Sequence, residues 1–203
     1  MAVIGLVLAA GGSRRMGRPK QLAELAGRPL LEHVLEALAA APVDRVVVAL
    51  GAGAREVAER VDLHGAAPLV VEDWAEGMGH VLARAVAGLG DDDAVVVCLG
   101  DQPLVGPRVV ASLVEAWRDG AGPVVAASYG GRVGNPKLFD RRVLPHLRRL
   151  RGDTGARDLL AAHPEWVTAV EVGALGSDAD VDDEAALAST EALLQARRVS
   201  PAR

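Results

Sequence analysis

The sequence predicts a single α/β domain of Rossmann-like architecture, in which helices cover both faces of a mostly parallel central sheet. Short β-branched runs alternate along the chain with Ala- and Leu-rich segments of helical period, as in parallel sheets. The 203 residues are 50% hydrophobic but only 2% aromatic, which suits one aliphatic core. We expect the domain to span residues 1–198 and a disordered tail to follow over 199–203, where Pro201 discourages helix.

Short apolar runs predict the strands of the sheet. They are Val3 to Ala9, Arg45 to Leu50, Pro68 to Glu72, Ala94 to Leu99, Val124 to Ser128 and Val167 to Val172. The first, second and fourth runs are apolar on both faces, so we expect these strands at the centre of the sheet. Ligands of such sheets bind beyond the carboxyl ends of the strands, which directs attention to the segments that follow these three. Those segments are Ala10 to Lys20, Gly51 to Gly53 and Gly100 to Pro103.

Segments of helical period predict the helices. Each is rich in residues that favour helix, such as Ala, Leu, Glu and Arg. The predicted helices are Leu30 to Ala41, Ala54 to Val61, Gly79 to Gly88, Pro107 to Asp119, Arg141 to Leu150, Thr154 to His163 and Asp183 to Arg197. Because most of them follow a strand, the connections favour crossovers between parallel strands.

The composition argues against several classes of protein. A net charge of −5 and the lack of a basic face with interleaved aromatic residues argue against nucleic-acid binding. The single cysteine, Cys98, lies in an apolar run, so we expect no disulfide framework and no cysteine zinc site, and a reducing cytoplasm fits. Residues 1–12 lack a basic leader and are too short to span a membrane, so we interpret them as a buried strand and expect no membrane contact.

A glycine-rich basic loop follows the first strand. Adjacent glycines at positions 11 and 12 allow backbone N–H groups to approach an anion closely. The side-chain donors of the loop are Ser13, Arg14, Arg15, Arg18 and Lys20. This composition is typical of a phosphate site, and a solvated basic loop is the alternative.

Two better-known phosphate loops fit this sequence less well. A Walker A loop needs lysine after its second glycine, but Gly17 is followed by Arg18 and Pro19, and proline removes an N–H that the loop needs. The turn from Gly51 to Gly53 has two of the three glycines of a dinucleotide fingerprint. A strand-to-helix connection is the simpler interpretation of that turn.

Carboxylates occur at two positions that the predicted topology can bring to the loop. Asp101 follows the fourth strand at the ligand-binding edge, where a hard cation such as Mg²⁺ could use it together with phosphate oxygens. In an extended segment, alternation would point Asp178, Asp180 and Asp182 the same way, and they could supply the opposing carboxylate. A turn or cap role for Asp101, and a helix-cap role for Asp182 or Asp183, are the alternatives.

The segment from Leu8 to Lys20 keeps every fixed letter of a known signature, L-A-A-G-x-S-x-R-M-G-x-x-K. Further motifs follow in the order of the same family. They are Glu76 to Gly79, Gly100 to Pro103, Gly134 to Pro136 before Leu138 and Phe139, Gly152 to Arg157, and Asp180 to Asp182. On these residues the chain resembles the MobA-like NTP transferase family, and within it the molybdenum cofactor cytidylyltransferases, over nearly its whole length.

This resemblance implies a Mg²⁺-dependent nucleotidyltransferase that transfers CMP from CTP to molybdopterin and releases pyrophosphate, with a molybdenum hydroxylase as a candidate partner. It implies Arg15, Lys20 and Asp101 as catalytic residues, and Asp101 with Asp180 or Asp182 as metal ligands. The implied acceptor-binding residues are Asn135, Pro136, Lys137 and Asp153. The implied nucleotide-binding residues are Ala9, Ala10, Gly11, Gly12, Ser13, Arg15, Lys20, Gly77, Met78, Gly79 and Gly100.

The choice of subfamily depends on the first and last motifs. The guanylyltransferase branch usually has LAGG and Asn-x-Asn there, whereas this chain has LAAG from Leu8 and DVD from Asp180. The chain also departs from the family pattern. Val81 replaces a usual serine, Asn135 replaces a common histidine, and Lys137 replaces a small or aliphatic residue. The last two changes affect the acceptor side.

Other functions stay open at this point. The nearest is the same chemistry with GTP or another nucleotide, or with another phosphorylated acceptor such as an organic acid. Val81 and Lys137 motivate a second, a non-catalytic nucleotide-binding accessory protein of a molybdenum enzyme. A third is an oxidoreductase that binds a dinucleotide at the Gly51 turn. Among the histidines, only His80 is kept as a nucleotide-pocket candidate, and an ionised acceptor phosphate needs no general base.

Overall fold

The computed structural model describes residues 2–13, 16–90 and 94–199 of the chain. The strands are β1 (Val3–Ala9), β2 (Glu24–Leu25), β3 (Arg28–Pro29), β4 (Arg45–Leu50), β5 (Ala67–Val70), β6 (Ala94–Leu99), β7 (Val124–Tyr129), β8 (Arg132–Asp140) and β9 (Val167–Glu171). The α-helices are α1 (Leu30–Ala39), α2 (Ala54–Arg60), α3 (Met78–Leu89), α4 (Pro107–Arg118), α5 (Leu144–Leu147), α6 (Arg157–Ala162) and α7 (Glu184–Val199). Short 3₁₀ helices lie at Lys20–Leu22, Trp74–Glu76 and Pro164–Trp166.

Seven strands form the central sheet, in the order β5-β4-β1-β6-β8-β7-β9. All neighbouring pairs are parallel except the two that involve β8, so the predicted mostly parallel sheet is confirmed. The strands predicted at the centre, β4, β1 and β6, lie side by side inside the sheet. Their carboxyl ends therefore meet at one edge, where the sequence predicts the site.

Helices cover both faces of the sheet, as predicted, and each face has an aliphatic core. Helices α1, α2 and α4 pack on one face through residues such as Leu35, Val57 and Leu113. Helices α3, α5 and α6 pack on the other face, around Phe139 and Leu82. Burial of one such side chain contributes about 1.5–3 kcal/mol, so the two layers hold the sheet and its strand ends in place.

Strand β8 is absent from the sequence prediction, although it lies inside the sheet between β6 and β7. Pro136 argues against an inner strand, because proline cannot donate to a ladder. The register between β7 and β8 shifts between Ala126 and Ser128, and Pro136 falls within this irregular stretch. The irregularity removes the need for the missing N–H. Strand β8 thereby carries Asn135 and Lys137 into the sheet.

Two predicted helices are shorter in the structure. The helix predicted over residues 141–150 is reduced to α5, because Asp140 Oδ1 accepts the N–H of Arg142 at 3.0 Å in a local turn. The helix predicted over residues 154–163 is reduced to α6, because Gly155 adopts a left-handed conformation with a φ of 59°. Both segments still pack on the α3 face of the sheet.

The last helix reaches Val199, the first residue of the predicted tail. Residues 200–203, the remainder of that tail, lie outside the described residues, and the predicted domain limit at residue 198 stays a prediction. Asp183 begins the helix as a cap, since its Oδ1 accepts the N–H of Ala186 at 2.8 Å. Over the described ranges, no helix is long and apolar enough to cross a membrane.

The turn between β7 and β8 is held by the carboxylate of Glu171, the last residue of β9. Its oxygens accept the N–H groups of Gly130 (3.0 Å), Gly131 (3.1 Å) and Gly173 (3.1 Å), and the Ser128 hydroxyl at 3.0 Å. These donors lower the pKa of Glu171 to about 2. Glu171 therefore fixes the beginning of β8.

We expect Glu171→Gln to lower the thermal midpoint of unfolding near neutral pH but not at strongly acidic pH. The folded-state pKa of about 2 lies below the ordinary value of 4.5, so the carboxylate stabilises the fold above pH 4.5. That contribution is lost as the pH falls toward 2. Thermal unfolding of both proteins by circular dichroism across this range measures the difference. A gap between the midpoints that does not change with pH would contradict the assignment.

Candidate functional site

The glycine-rich loop that follows the carboxyl end of β1, residues 10–20, is called the first loop, and two hydrogen-bonding side chains hold it in place. Ser13 closes it, because its Oγ accepts the backbone N–H of Lys20 at 2.9 Å. Gln21 is buried under the loop and donates from Nε2 to the carbonyls of Ala9 (2.7 Å) and Gly11 (3.1 Å). The two adjacent glycines of the loop stay exposed. Their backbone is therefore available to a ligand on the outer side.

The Lys20 side chain joins two carboxylates that are far apart in the sequence. Its Nζ forms an ion pair with Asp101 and lies 3.1 Å from Asp182 Oδ1. Burial alone would lower the pKa of Lys20, but the charges of Asp101 and Asp182 outweigh burial and raise that pKa above its ordinary value. The structure thus brings three predicted site residues into contact at the carboxyl edge of the sheet.

The acidic segment before α7 is positioned by Val181. This side chain is fully buried, and its N–H donates to the Asp101 carbonyl at 2.9 Å. Beside it, Asp180 Oδ1 accepts Gln102 Nε2 at 2.8 Å. Burial and the nearby charge of Asp101 raise the pKa of Asp180. Packing of one valine therefore holds the acidic segment against the end of β6.

The alternation argument suggested that Asp178 points the same way as Asp180 and Asp182, and the structure does not bear this out. Its carboxylate accepts Arg132 Nη1 at 2.9 Å and Nη2 at 2.6 Å. It also packs on Gly134, where a Cβ atom would lie 2.1 Å from Asp178 Oδ2. Alternation fails here because residues 178–182 do not form a regular strand.

A cavity of about 370 Å³ opens beside the first loop, and we call it the loop cavity. Trp74 forms one wall of this cavity and packs closely on two glycines. A Cβ atom built at Gly12, in the first loop, would lie 3.0 Å from the Trp74 side chain, and one built at Gly51, after β4, would lie 2.6 Å from it. Most of the predicted nucleotide-binding residues line this cavity. They are Ala9, Ala10, Gly11, Gly12, Lys20, Gly77, Met78 and Gly100. Ser13 and Gly79 do not line it.

Two motifs that are distant in sequence pack backbone to backbone at the start of α3. The Gly79 N–H donates to the Gly152 carbonyl at 2.7 Å, and a Cβ atom at Gly79 would lie 2.8 Å from the Arg151 carbonyl oxygen. At Gly77, with a φ of 112°, a Cβ atom would lie 2.4 Å from Asp153 Oδ1. Gly79 thus has a packing role. Asp153, predicted on the acceptor side, lines the loop cavity instead.

A larger cavity of about 940 Å³ adjoins the first, and we call it the β8 cavity. Asn135 and Lys137 line it, whereas Pro136 is buried and does not. The residues that line both cavities are Leu8, Met78 and Leu99. Asp101 lines the loop cavity and Asp180 lines the β8 cavity, so each of the two adjoining cavities has one of these carboxylates in its wall.

The arginines of the first loop differ in what the structure describes. Arg15, predicted as a catalytic and nucleotide-binding residue, lies outside the described residues together with Arg14. Arg18, one of the predicted side-chain donors of the loop, is exposed and pairs with Glu184 at 2.8 Å. Lys20 is therefore the described loop cation that faces the site.

The carboxylates around Lys20 have the chemistry of a divalent metal site. Carboxylate oxygens are preferred ligands of Mg²⁺ and Mn²⁺. The Lys20 ammonium already provides positive charge between Asp101 and Asp182, where a cation would bind. In this lysine-bridged state the oxygens of Asp101, Asp180 and Asp182 do not all come within 4.8 Å of one another. The residues fit a divalent cation if Lys20 withdraws from them.

A second group of metal-ligand types lies at the start of α3. Ligand atoms of Asp73, Glu76 and His80 lie within 4.8 Å of one another. His80 Nε2 is 2.8 Å from Asp73 Oδ2, and Nδ1 is 3.2 Å from Glu76 Oε2. Because each ring nitrogen faces a different carboxylate, the atoms do not converge as a metal requires. His80 does not line the loop cavity but supports the 3₁₀ helix that contains Trp74.

Sequence reasoning missed three residues of the site. Gln21 and Gln102 each follow a predicted residue directly, and both are almost completely buried. A buried amide beside Lys20 or Asp101 is a signal that could have been used, because such groups usually position a neighbour. Trp74 has no comparable signal, since its place in the loop cavity depends on contacts with residues distant in sequence.

The chain is similar to several known proteins. Residues 5–167 match the MobA-like NTP transferase domain. Nicotine blue oxidoreductase of Paenarthrobacter nicotinovorans is 32% identical over 189 residues, which cover 89% of this chain and 92% of that protein. The crystal structure of an rv0371c homologue from Mycobacterium sp. strain JC1 has 33% identity and a TM-score of 0.86, with 98% of both chains covered. The Rv0371c complex with manganese from Mycobacterium tuberculosis H37Rv has 31% identity and a TM-score of 0.75, covering 89% of this chain and 94% of that one.

The matched region begins in β1 and ends at the start of β9, so it contains the first loop, Asp101 and the β8 residues. Asp180 and Asp182 lie beyond it but contact residues inside it. The relatives cover nearly the whole chain at more than 30% identity. The chain therefore belongs to the MobA-like NTP transferase family, a family of nucleotidyltransferases.

Proposed function

We propose that the protein transfers CMP from CTP to molybdopterin and releases pyrophosphate, with Mg²⁺ as the metal ion and in the cytoplasm. Nucleotidyl transfer is the chemistry of the family. CTP is favoured over GTP because the LAAG and DVD motifs, from Leu8 and Asp180, resemble the cytidylyltransferase branch. The acceptor is proposed on the same resemblance, and a molybdenum hydroxylase is the proposed recipient of the product.

The single observation that carries this proposal is that two cavities adjoin through shared wall residues and that each has one carboxylate in its wall, Asp101 in one and Asp180 in the other. A transfer between two substrates requires donor and acceptor side by side, with the reacting phosphorus between them. The loop cavity has exposed backbone amides and one lysine, which suit a triphosphate. The larger β8 cavity leaves room for an acceptor.

In the proposed reaction, an oxygen of the acceptor phosphate attacks the α-phosphorus of CTP. A new P–O bond forms on the α-phosphorus as its bond to the bridging oxygen of the β-phosphate breaks, and both electrons leave with pyrophosphate. The attacking oxygen is already ionised, so no general base is needed. The protein contributes position and charge: the loop amides and Lys20 hold the triphosphate, and Trp74 offers a flat wall for the base.

The carboxylates complete the charge balance of this site. Asp101, with Asp180 or Asp182, would hold Mg²⁺, which supplies neutralisation of the charge that develops on pyrophosphate. The manganese complex of the Rv0371c relative supports a divalent cation in this family. Lys20 would exchange its carboxylate partners for phosphate oxygens when the cation and the nucleotide bind.

One relative favours a second candidate, because nicotine blue oxidoreductase carries an oxidoreductase name at 32% identity. The dinucleotide alternative requires the turn from Gly51 to Gly53 to receive a pyrophosphate. Trp74 lies against that turn. A Cβ atom at Gly51 would be 2.6 Å from the Trp74 side chain and 2.7 Å from the Ala10 carbonyl oxygen. The crowded turn supports the nucleotidyltransferase proposal over this candidate.

The experiment is a matrix of CTP, GTP, ATP and UTP against molybdopterin with Mg²⁺, read by mass spectrometry of the product. We expect a CMP adduct with CTP and release of pyrophosphate in the same reaction. An adduct from another nucleotide would replace CTP in the proposal. CTP binding without turnover would favour the accessory-protein alternative. Oxidation of NADH or NADPH by a dye substrate, with no adduct from any nucleotide, would favour the oxidoreductase.

A further inference from the structure

The β8 cavity contains a lysine on the inward face of an inner strand. Asn135, Lys137 and Phe139 alternate along β8 and line the cavity together. Strand β8 pairs with β6 on one side and β7 on the other, so Lys137 is not at a sheet edge. Lys137 is half-buried there, and lysines withdrawn from water usually have a partner that offsets their charge. The position therefore calls for an explanation in terms of charge.

The Lys137 ammonium has little compensation from the protein. Among the residues that the structure describes, it donates one hydrogen bond, to Asn135 Oδ1 at 2.8 Å. That acceptor is a neutral amide, and an ammonium has three hydrogens to donate. Asp178 acts on it from a distance, but the Asp178 carboxylate is held by both terminal nitrogens of Arg132. Burial, together with the positive charge of Arg157, outweighs Asp178 and lowers the pKa of Lys137 to about 8.

We propose that Lys137 binds a second anionic group of the acceptor, remote from the phosphate that attacks the nucleotide. The inference rests on the proposed function, which places that phosphate beside Asp101. Lys137 pairs with Val97 inside β6, whereas Asp101 lies beyond the end of that strand at Leu99. Lys137 therefore binds a group at the opposite end of the acceptor from the reacting phosphate.

The walls of the β8 cavity are of mixed character. Apolar side chains line it at Leu82, Val97, Leu99, Phe139 and Leu160. Polar and charged side chains line it as well, among them Gln102, Asn135, Thr154, Arg157 and Asp180. We therefore expect the acceptor to be recognised through two anions, the reacting phosphate and a compact anionic group that reaches Lys137.

The test uses binding and needs no turnover, so it is independent of whether CTP is the nucleotide. The probes are alkyl monophosphates from butyl to decyl, each with and without a terminal carboxylate, titrated calorimetrically with Mg²⁺ present. For the best chain length, we expect the wild-type protein to bind the carboxylated probe roughly 10- to 100-fold more tightly than the plain one. Lys137→Met should abolish that preference and leave binding of the plain probe unchanged.

A control variant separates Lys137 from the general positive charge of the protein. Arg149 is exposed and lines neither cavity, so Arg149→Met should keep the preference within about threefold. We also expect Lys137→Met to raise the thermal midpoint, because it removes a half-buried charge that the protein compensates poorly.

Several outcomes would overturn the proposal: no binding of either probe by the wild type, no preference for the carboxylated probe, or an equal loss of preference in both variants. A lower thermal midpoint of Lys137→Met with the preference unchanged would assign Lys137 a structural role instead. If no nucleotide forms an adduct with molybdopterin but the wild-type protein still prefers the carboxylated probe, the proposed reaction is refuted and the anion site at Lys137 is retained.

Discussion

Asp101→Ala is expected to lower pyrophosphate release at least about 100-fold while the protein remains folded. Asp101 links the first loop to the acidic segment, since its carboxylate contacts Lys20 and its backbone carbonyl accepts the Val181 N–H. Its loss removes a proposed metal ligand from the wall of the loop cavity. A coupled phosphate assay gives the rate, and circular dichroism checks the fold.

The control for this variant is Glu115→Ala, which removes an exposed carboxylate from α4 without touching either cavity. It should release pyrophosphate at the wild-type rate. Asp101→Asn, which keeps the shape of the side chain, should lose nearly as much activity as Asp101→Ala, because the charge is what binds the cation. Near wild-type turnover by either Asp101 variant would refute the metal role.

Lys20→Met is expected to lower turnover by roughly 100- to 1000-fold and to tighten the binding of Mn²⁺ in the absence of nucleotide. The first effect follows from the loss of a cation beside the triphosphate. The second follows because the Lys20 ammonium lies between Asp101 and Asp182 and competes with a metal ion for them. Kinetics at saturating CTP and calorimetric titration with Mn²⁺ measure the two effects separately.

Arg18→Met is the matched control for Lys20. Arg18 belongs to the same loop, but it is exposed and pairs with Glu184, whereas Lys20 pairs with Asp101 and Asp182. We expect it to change neither quantity by more than about threefold, because exposed ion pairs contribute little. If Lys20→Met bound Mn²⁺ more weakly than the wild type, the idea that the ammonium stands in for a cation would be wrong.

Much of the fold could be predicted because burial dominates its pattern. The runs that become β1, β4 and β6 are apolar on both faces, and their limits in the structure coincide with the predicted ones. Strand β8 escaped prediction because Pro136 lies in an irregularity that only pairing with β7 creates. The segment over residues 141–150 has helical period, but the Asp140 turn, a local hydrogen bond, competes with it.

The site could be predicted in part, since topology brings the carboxyl ends of parallel strands to one edge. That argument alone brings Asp101 next to the first loop. It does not separate Asp178, which pairs with Arg132, from Asp182, which pairs with Lys20, because the difference depends on how residues 178–182 pack. Nor could spacing predict the contact of Trp74 with the loop, which depends on tertiary packing.

The central claim is that the first loop, Lys20 and the carboxylates act together on one triphosphate at the edge of the sheet. A crystal structure with Mn²⁺ and a non-hydrolysable CTP analogue tests this most directly, because the anomalous signal locates the metal. We predict Mn²⁺ on Asp101 and on Asp180 or Asp182, with Lys20 Nζ moved from the carboxylates to a phosphate oxygen. Nucleotide bound away from the loop cavity, or Lys20 still bridging Asp101 and Asp182 beside bound nucleotide, would contradict it.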